Sequence, residues 1–300
     1  MFGRIQSLIS GKQSPYNKAW GYVFKLSLSI LILILIFRRI DLGLASKLIL
    51  EMPLLLLVKI FLLSVLRHYI QLNNWRCSLH LNPLYRYRRD ELISSYLIAL
   101  PLRFLIPGGH ASFGKIFYIQ NSSRVASFIS TTAERLFMTW STWTFAAIAL
   151  LWHYPDMNLL LRVVILILVA FMPLYAAIML RAVPKWREYH LPYTAQAPKM
   201  MLLQVANTIV MYLQYYLILN QMGAINLINT WIGMALTNVS NSIPITVAGL
   251  GLREGFAIHF LRDFSFSAEQ AVAATLSLFI FQDVIPALVG AVVLLKAKRV

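Results

Sequence analysis

Long apolar stretches dominate the chain, and several of them lack the polar face that a helix at a water boundary carries. Residues 26–37, 159–172 and 284–295 are apolar all round. Each extends on both sides toward the roughly 20 residues that a helix needs to cross a bilayer core. The pattern predicts an all-α, polytopic membrane helix bundle. Its six predicted full crossings lie near 20–37, 47–66, 134–152, 159–180, 201–221 and 271–295.

Two further apolar stretches, 92–123 and 225–262, are interrupted by helix breakers. Pro107-Gly108-Gly109 lies in the first, and the segment from Pro244 to Gly255 lies in the second. Freed backbone groups at membrane depth are tolerated only where protein buries them or where they line a wet cavity. Given six crossings, each stretch must begin and end on the same side. We expect either re-entrant hairpins or pairs of short full spans.

Basic residues mark one side of the predicted bundle. They concentrate in residues 1–18, 67–90 and 181–199 and at the C-terminal end, whereas 220–230 carries no charge. Basic loops favour the cytoplasmic side. The sequence therefore predicts a multi-pass protein of the cell (cytoplasmic or inner) membrane with both termini in the cytoplasm. Residues 38–47 fit this orientation poorly, because they carry three cations on the outer side.

Composition excludes several classes of protein. Of the 300 residues, 59% are hydrophobic and only 13% are charged, against about 25% charged in soluble domains. The formal net charge of +16 would suggest nucleic acid in a soluble protein, but basic loops facing anionic lipid explain it here. No nucleic-acid partner is expected. The single cysteine, Cys77, excludes an internal disulfide and a cysteine-based metal site.

The two broken stretches resemble each other. Residues 106–115 and 243–253 both run from a proline through small residues to a basic residue, eight positions later in one and nine in the other. Two such units in opposite orientation form an inverted-topology repeat, in which interrupted helices meet near the midplane around a substrate. We expect one integral membrane domain over residues 1–300, with a first repeat near 20–152 and a second near 159–295.

The sharpest local feature is the segment Val-Ala-Gly-Leu-Gly-Leu-Arg-Glu-Gly at 247–255. Gly249 and Gly251 let backbone approach a ligand closely. Arg253 and Glu254 open the returning half-helix, where a helix N-terminus beside an arginine suits a phosphate. The other interpretation is a salt bridge that locks a tight turn. Ionisable groups inside a membrane are costly and tend to be functional, which favours headgroup binding.

Three further residues are candidate ligands of a lipid headgroup. Lys115 takes the matching place in the first broken stretch, and Arg103 lies in its descending arm. Lys115 either binds a headgroup or extends to the membrane interface. Asn241 precedes Pro244 and either binds a headgroup or satisfies the broken backbone.

Three other charged residues are predicted to support these cations. Glu134 and Arg135 begin the crossing after the first broken stretch, where an interfacial, structural role is favoured. Asp283 lies within the last crossing and is expected to partner an arginine of the second broken stretch.

Nothing in the sequence supplies a catalytic constellation. His259 and Asp263 have the wrong spacing for an acyltransferase His-x4-Asp pair, and there is no Gly-x-Ser-x-Gly elbow, His-Glu-x-x-His pair or phosphate-binding loop. The sequence therefore predicts a protein that is not an enzyme and that uses no cofactor and no metal.

Residues 243–255, Ile-Pro-Ile-Thr-Val-Ala-Gly-Leu-Gly-Leu-Arg-Glu-Gly, resemble a motif of the flippase-like family, the lysylphosphatidylglycerol synthase transmembrane region. That motif reads Pro-x-x-x-Gly-Gly-Leu-Gly-x-Arg-Glu-Gly. Weaker agreement at Asn74-Trp75-Arg76, at 107–115 and at Glu134-Arg135-Leu136 extends the resemblance over about 20–295. Ala248 departs from the family's first glycine. Ala111-Ser112 replaces a glycine and an acidic residue, so no role for that acid carries over.

The resemblance implies a flippase or transporter that moves an anionic phospholipid or a polyprenyl-type, lipid-linked headgroup across the bilayer. Membrane lipids are then its partners, with a membrane enzyme or a second copy of the chain as a further partner. The alternative is a non-catalytic subunit that presents lipid to a separate lipid- or glycan-modifying enzyme. The sequence holds no soluble aminoacyl-transfer domain, so lipid aminoacylation is not predicted.

Overall fold

The computed structural model describes residues 42–105, 110–120, 123–243, 246 and 249–296, and within them the chain is helical without any β-strand. This confirms the all-α prediction, while the predicted crossing at 20–37 lies outside the described residues. The α-helices are α1 (Leu42–Leu50), α2 (Leu54–Leu79), α3 (Arg89–Leu105), α4 (Arg124–His153), α5 (Leu159–Ala170), α6 (Met172–Ala182), α7 (His190–Met222), α8 (Leu227–Asn238), α9 (Leu252–Arg262), α10 (Ala268–Phe279) and α11 (Ile285–Lys296). The 3-10 helices are His110–Tyr118, Pro184–Tyr189 and Val239–Ser242, and a π-helical segment covers Ile280–Val284.

Several helices have the length and composition of membrane spans. In the described part of the chain three qualify by themselves, Leu54–Leu79, Pro184–Met222 and Ala268–Lys296, and α5 with α6, bent by 50°, counts as a fourth only if the pair is one span. Large apolar side chains such as Leu54, Leu62 and Leu160 are exposed on the outside of the bundle, as expected for a surface that faces lipid. These helices overlap the predicted crossings at 47–66, 159–180, 201–221 and 271–295. The total of six crossings remains a prediction.

The predicted boundaries of the second crossing are wrong. The helix breaks before Pro53, whose carbonyl accepts the first hydrogen bonds of α2, and then continues to Leu79. Arg67, the first cation of the predicted basic loop 67–90, lies within α2 and is buried. A charged residue can stay inside a helical span when other helices supply polar partners for it.

The fourth long helix also begins earlier than predicted. Ser123 accepts a hydrogen bond from the backbone N–H of Ala126 and so caps α4 at Arg124. Glu134 was expected at the start of this crossing and in an interfacial role. It lies instead well inside α4 and is 5% exposed, so the predicted start of the helix is wrong, while the interfacial, structural role stays a prediction.

Each broken stretch folds back so that its two arms pack together. In the first, the His110–Tyr118 segment lies against α3, where a Cβ at Gly114 would come within 2.5 Å of Leu102 Cδ1. In the second, α9 lies against α8, where a Cβ at Gly233 would come within 3.1 Å of Leu261 Cδ2. At 1.5 Å per residue, α8 and α9 are each shorter than the roughly 30 Å of a bilayer core. Their re-entrant placement and the inverted repeat remain predictions.

The last span carries the π-helical segment in its middle. That segment leaves the carbonyl of Gln282 available to His68 of α2, whose other ring nitrogen bonds the hydroxyl of Tyr96. Beyond the segment, α11 crosses α3 at Gly290, where a Cβ would lie only 2.2 Å from the carbonyl oxygen of Leu97. The crossing therefore requires glycine at position 290.

Candidate functional site

A glycine turn precedes α9. Gly249 and Gly251 have φ angles of +77° and +87°, a region in which side chains other than glycine are strained. A Cβ at Gly249 would also lie 2.9 Å from Oδ1 of Asn241. Asn241 itself is exposed and donates to Asn238 Oδ1 at 2.9 Å. The turn thus brings Asn241 next to Gly249, two of the residues that the sequence singled out.

Arg253 and Glu254 form a buried ion pair at the start of α9. Arg253 Nη2 and Nε donate to Glu254 Oε1 at 2.8 and 3.1 Å, and the backbone N–H of Gly251 donates to Glu254 Oε2 at 2.6 Å. Glu254 is 0% exposed and Arg253 is 5% exposed. The carboxylate of Glu254 therefore accepts hydrogen bonds from both the backbone of the glycine turn and the guanidinium of Arg253. This is the salt bridge that the sequence offered as the alternative to headgroup binding.

Aromatic and charged groups surround Arg253. Its guanidinium lies over the ring of Phe279, 5.0 Å from the centroid, a distance typical of a cation–π contact. Tyr215 of α7 lies nearby, and the charge of Asp283 acts on the guanidinium from the π-helical segment. Asp283, expected to partner an arginine of the second broken stretch, thus lies within electrostatic range of Arg253.

Lys115 forms the second buried ion pair, with Glu134 of α4. Its ammonium also lies over the ring of Trp75, 3.5 Å from the centroid, and Trp75 is held by a hydrogen bond to Ser95 Oγ at 3.0 Å. Lys115 is 2% exposed. Arg135 lies close enough to act on its charge. The lysine is therefore buried against α2 and α4.

The two ion pairs belong to different parts of the bundle. Among the described contacts, no hydrogen bond or ion pair joins Lys115 to Arg253. The two broken stretches approach each other at Phe279, because Phe104 of α3 packs on this ring at 5.8 Å between centroids. Arg103 lies in α3 beside Phe104, and its side chain is outside the described part. Each cation holds its own carboxylate in the structure.

Sequence reasoning missed a buried polar seam between α2 and α7. On α2 the seam consists of Ser64, Arg67, Gln71, Asn74 and Ser78, which recur every three or four residues and are all buried. On α7 it consists of Gln204, Asn207 and Gln214. The spacing of polar residues on α2 was visible in the sequence and could have identified this face.

Hydrogen bonds close the seam across the two helices. Arg67 donates to Asn207 Oδ1 at 3.3 Å and to Gln214 Oε1 at 3.0 Å. Gln71 and Gln204 exchange amide hydrogen bonds at 3.2 and 3.1 Å. Such interhelical hydrogen bonds stabilise the packing of membrane helices. Contact between apolar helix surfaces adds little free energy there, because lipid is equally apolar.

One seam residue remains unsatisfied. Both polar atoms of the Asn74 amide are buried and have no hydrogen-bond partner in the described part of the chain. A buried amide without partners is costly, so this position suits water or a polar ligand. No group of three or more His, Cys, Asp or Glu side chains in the described ranges could hold a metal ion.

A family model of the lysylphosphatidylglycerol synthase TM region matches residues 22–290 of the chain. Neither a curated protein nor a solved structure matches the chain significantly. The match covers the glycine turn, both ion pairs and the polar seam.

Proposed function

Because the chain belongs to the family of the lysylphosphatidylglycerol synthase TM region, we propose that it is a lipid flippase. It moves an anionic phospholipid or a polyprenyl-type, lipid-linked headgroup across the membrane while the acyl tails stay in the bilayer. Its partners are membrane lipids, and it catalyses no reaction.

The buried Arg253–Glu254 pair on the glycine turn is the observation that supports this proposal most. Desolvating two charges is expensive, and a buried ion pair is weak support for stability. Ionisable residues inside a membrane protein tend to be functional. Two glycines with positive φ already form this turn, so the arginine has a function besides stabilising the fold. The function we propose is binding of a headgroup phosphate.

A phosphate can replace the carboxylate of Glu254 in this geometry. Guanidinium matches carboxylate and phosphate oxygens with the same fork of N–H donors. In the proposed cycle, Glu254 holds Arg253 when no lipid is bound, and the phosphate takes the arginine when lipid arrives. Glu254 then keeps its hydrogen bond from the N–H of Gly251, so the turn stays formed.

The polar seam supplies a polar path through the bundle. It runs along α2 from Ser64 to Ser78, and the unsatisfied Asn74 amide lies next to Trp75, on which Lys115 rests. We propose that the headgroup passes along this face, with Lys115 and Glu134 as the second charged station. Polar side chains lower the cost of moving a charged headgroup through a hydrocarbon core.

We propose the cell membrane as the location, with both termini in the cytoplasm. Arg76 and Lys199 come from the two internal segments that the sequence predicted as basic, cytoplasmic loops. They line one common cavity, which supports the placement of both segments on the same side of the bundle.

The experiment is a translocation assay in proteoliposomes. Purified chain is reconstituted, and the transfer of fluorescent phosphatidylglycerol between leaflets is followed by reducing the dye in the outer leaflet. Wild type should accelerate transfer over protein-free vesicles, and Arg253→Gln should abolish the acceleration. Arg262→Gln is the matched control, because Arg262 belongs to the same helix α9 but is exposed.

Wild-type rates in the Arg253→Gln chain would remove Arg253 from the mechanism. Failure of wild type to accelerate transfer of phosphatidylglycerol and of a polyprenyl phosphate would overturn the proposal. If such an inactive chain still bound lipid and copurified with a membrane enzyme, the lipid-presenting subunit would be the better account.

A further inference from the structure

A second polar site lies where the C-terminal end of α2 meets the start of α7, and neither ion pair contributes a residue to its lining. It is a cavity of about 430 Å³, within the range of about 300–1,000 Å³ that small-molecule sites occupy. We call it the basic cavity. Its lining residues are Asn73, Arg76, Cys77, His80, Gln196 and Lys199.

The lining carries two cations and no acidic side chain. Arg76 lies over the ring of Tyr87, 4.7 Å from the centroid, and His80 stacks on the same ring. Tyr87 thus orients the guanidinium without neutralising it. Lys199 is exposed and faces the same cavity from α7.

The other lining groups can donate or accept hydrogen bonds. The pKa of the His80 imidazole is lowered, chiefly by burial and further by the charges of Arg76 and Lys199. The cavity is therefore electropositive where His80 lies, and the neutral ring can still donate one hydrogen bond. Asn73 uses its amide N–H₂ on the carbonyl of Tyr69, and Gln196 adds a second amide.

We infer that the basic cavity binds a phosphate group, with Arg76 and Lys199 on its oxygens. A guanidinium fork and an ammonium that converge from two helices are the usual donors for a phosphate. The phosphate belongs either to a lipid headgroup at the membrane surface or to a free phosphate compound. None of the lining residues belongs to the ion pairs or the polar seam, so this binding does not depend on the proposed flippase activity.

The only cysteine of the chain provides the test, because Cys77 lines the cavity. The full chain is placed in nanodiscs of phosphatidylcholine, and the labelling rate of Cys77 with an uncharged maleimide is measured. In one arm, phosphatidic acid is added to the nanodisc. In the other, soluble glycerol phosphate is added. At a concentration about ten times the dissociation constant, bound phosphate should slow labelling about tenfold.

Matched variants separate a built site from general attraction to a basic surface. Arg76→Gln/Lys199→Gln should lose the protection, whereas Lys185→Gln/Arg187→Gln, two exposed cations outside the cavity, should keep it. The charge-conserving Arg76→Lys/Lys199→Arg chain should also be protected, which guards against a folding defect in the first variant.

Protection in the lipid arm alone identifies a headgroup, and protection in the soluble arm alone identifies a free phosphate compound. Both outcomes support the site. Protection that persists in the Arg76→Gln/Lys199→Gln chain would show surface attraction only and would overturn the inference. Absence of protection in both arms of the wild type would overturn it as well.

Discussion

The Lys115–Glu134 pair offers the most quantitative test of the structure. Lys115→Met removes the ammonium and keeps an unbranched, flexible side chain. Glu134, 5% exposed, then loses its ion-pair partner inside the bundle. Removing one partner of a buried pair destabilises a protein by about 3–5 kcal/mol. The contact of the ammonium with the Trp75 ring is lost in the same change.

A second substitution separates the charge from the packing. In the Lys115→Met/Glu134→Gln chain, no unpaired charge remains, so most of that loss should be recovered. The free energies of unfolding of the four chains form a double-mutant cycle, from which we expect a coupling of about 3 kcal/mol. The measurement is denaturant unfolding in mixed micelles, followed by helical circular dichroism.

An exposed pair in the same chain serves as the control. Lys47 and Glu51 lie 3.7 Å apart with side chains 66% and 61% exposed, and exposed pairs contribute little. Their cycle should give a coupling close to zero. If the Lys115–Glu134 cycle also gave a coupling free energy close to zero, the buried ion pair would not exist in the membrane.

Three further substitutions test other parts of the fold by the same unfolding measurement. Gln214→Leu removes the acceptor that Arg67 Nη1 uses at 3.0 Å and should cost about 1.5–3 kcal/mol, as hydrogen bonds to charged groups do. Gly290→Ala places a Cβ 2.2 Å from the carbonyl of Leu97 and should cost about 1–3 kcal/mol or more by overpacking. Gly251→Ala forces alanine to φ +87° and should cost about 1–2 kcal/mol.

Controls for these changes come from exposed positions of the same residue type. Gln221→Leu in α7 and Gly43→Ala in α1 alter exposed residues and should leave the free energy of unfolding nearly unchanged. Equal effects at Gln214 and Gln221 would contradict the buried seam. A neutral Gly290→Ala would contradict the close crossing of α3 and α11.

Apolar length predicted the helical class and the positions of three helices long and apolar enough to span a membrane, because a lipid-facing helix must be continuously apolar whatever its neighbours are. The exact ends of α2 could not be predicted in this way. Arg67 marks a loop if its charge must reach water, but Asn207 and Gln214 satisfy it from positions 140 and 147 residues away in the chain. Long-range partners of this kind leave no local signal.

The sequence predicted individual residues of the candidate site but not which of them contact each other. The motif around 247–255 identified Arg253, Glu254 and both glycines, and the structure places them in one turn. The sequence predicted Glu134 as a charge that supports the candidate cations, and the structure pairs it with Lys115, a specific partner that no local pattern indicates. In the structure each cation holds its own carboxylate, and a headgroup site shared by Lys115 and Arg253 stays a prediction.

The central claim is that Arg253 takes a headgroup phosphate in place of Glu254. The Arg253→Gln/Glu254→Gln chain tests it most directly, since both charges of the buried pair are removed together and the fold should persist. We predict that this chain keeps its helical circular dichroism but no longer accelerates transfer of fluorescent phosphatidylglycerol in proteoliposomes. A folded double variant that transfers the lipid at the wild-type rate would contradict the account.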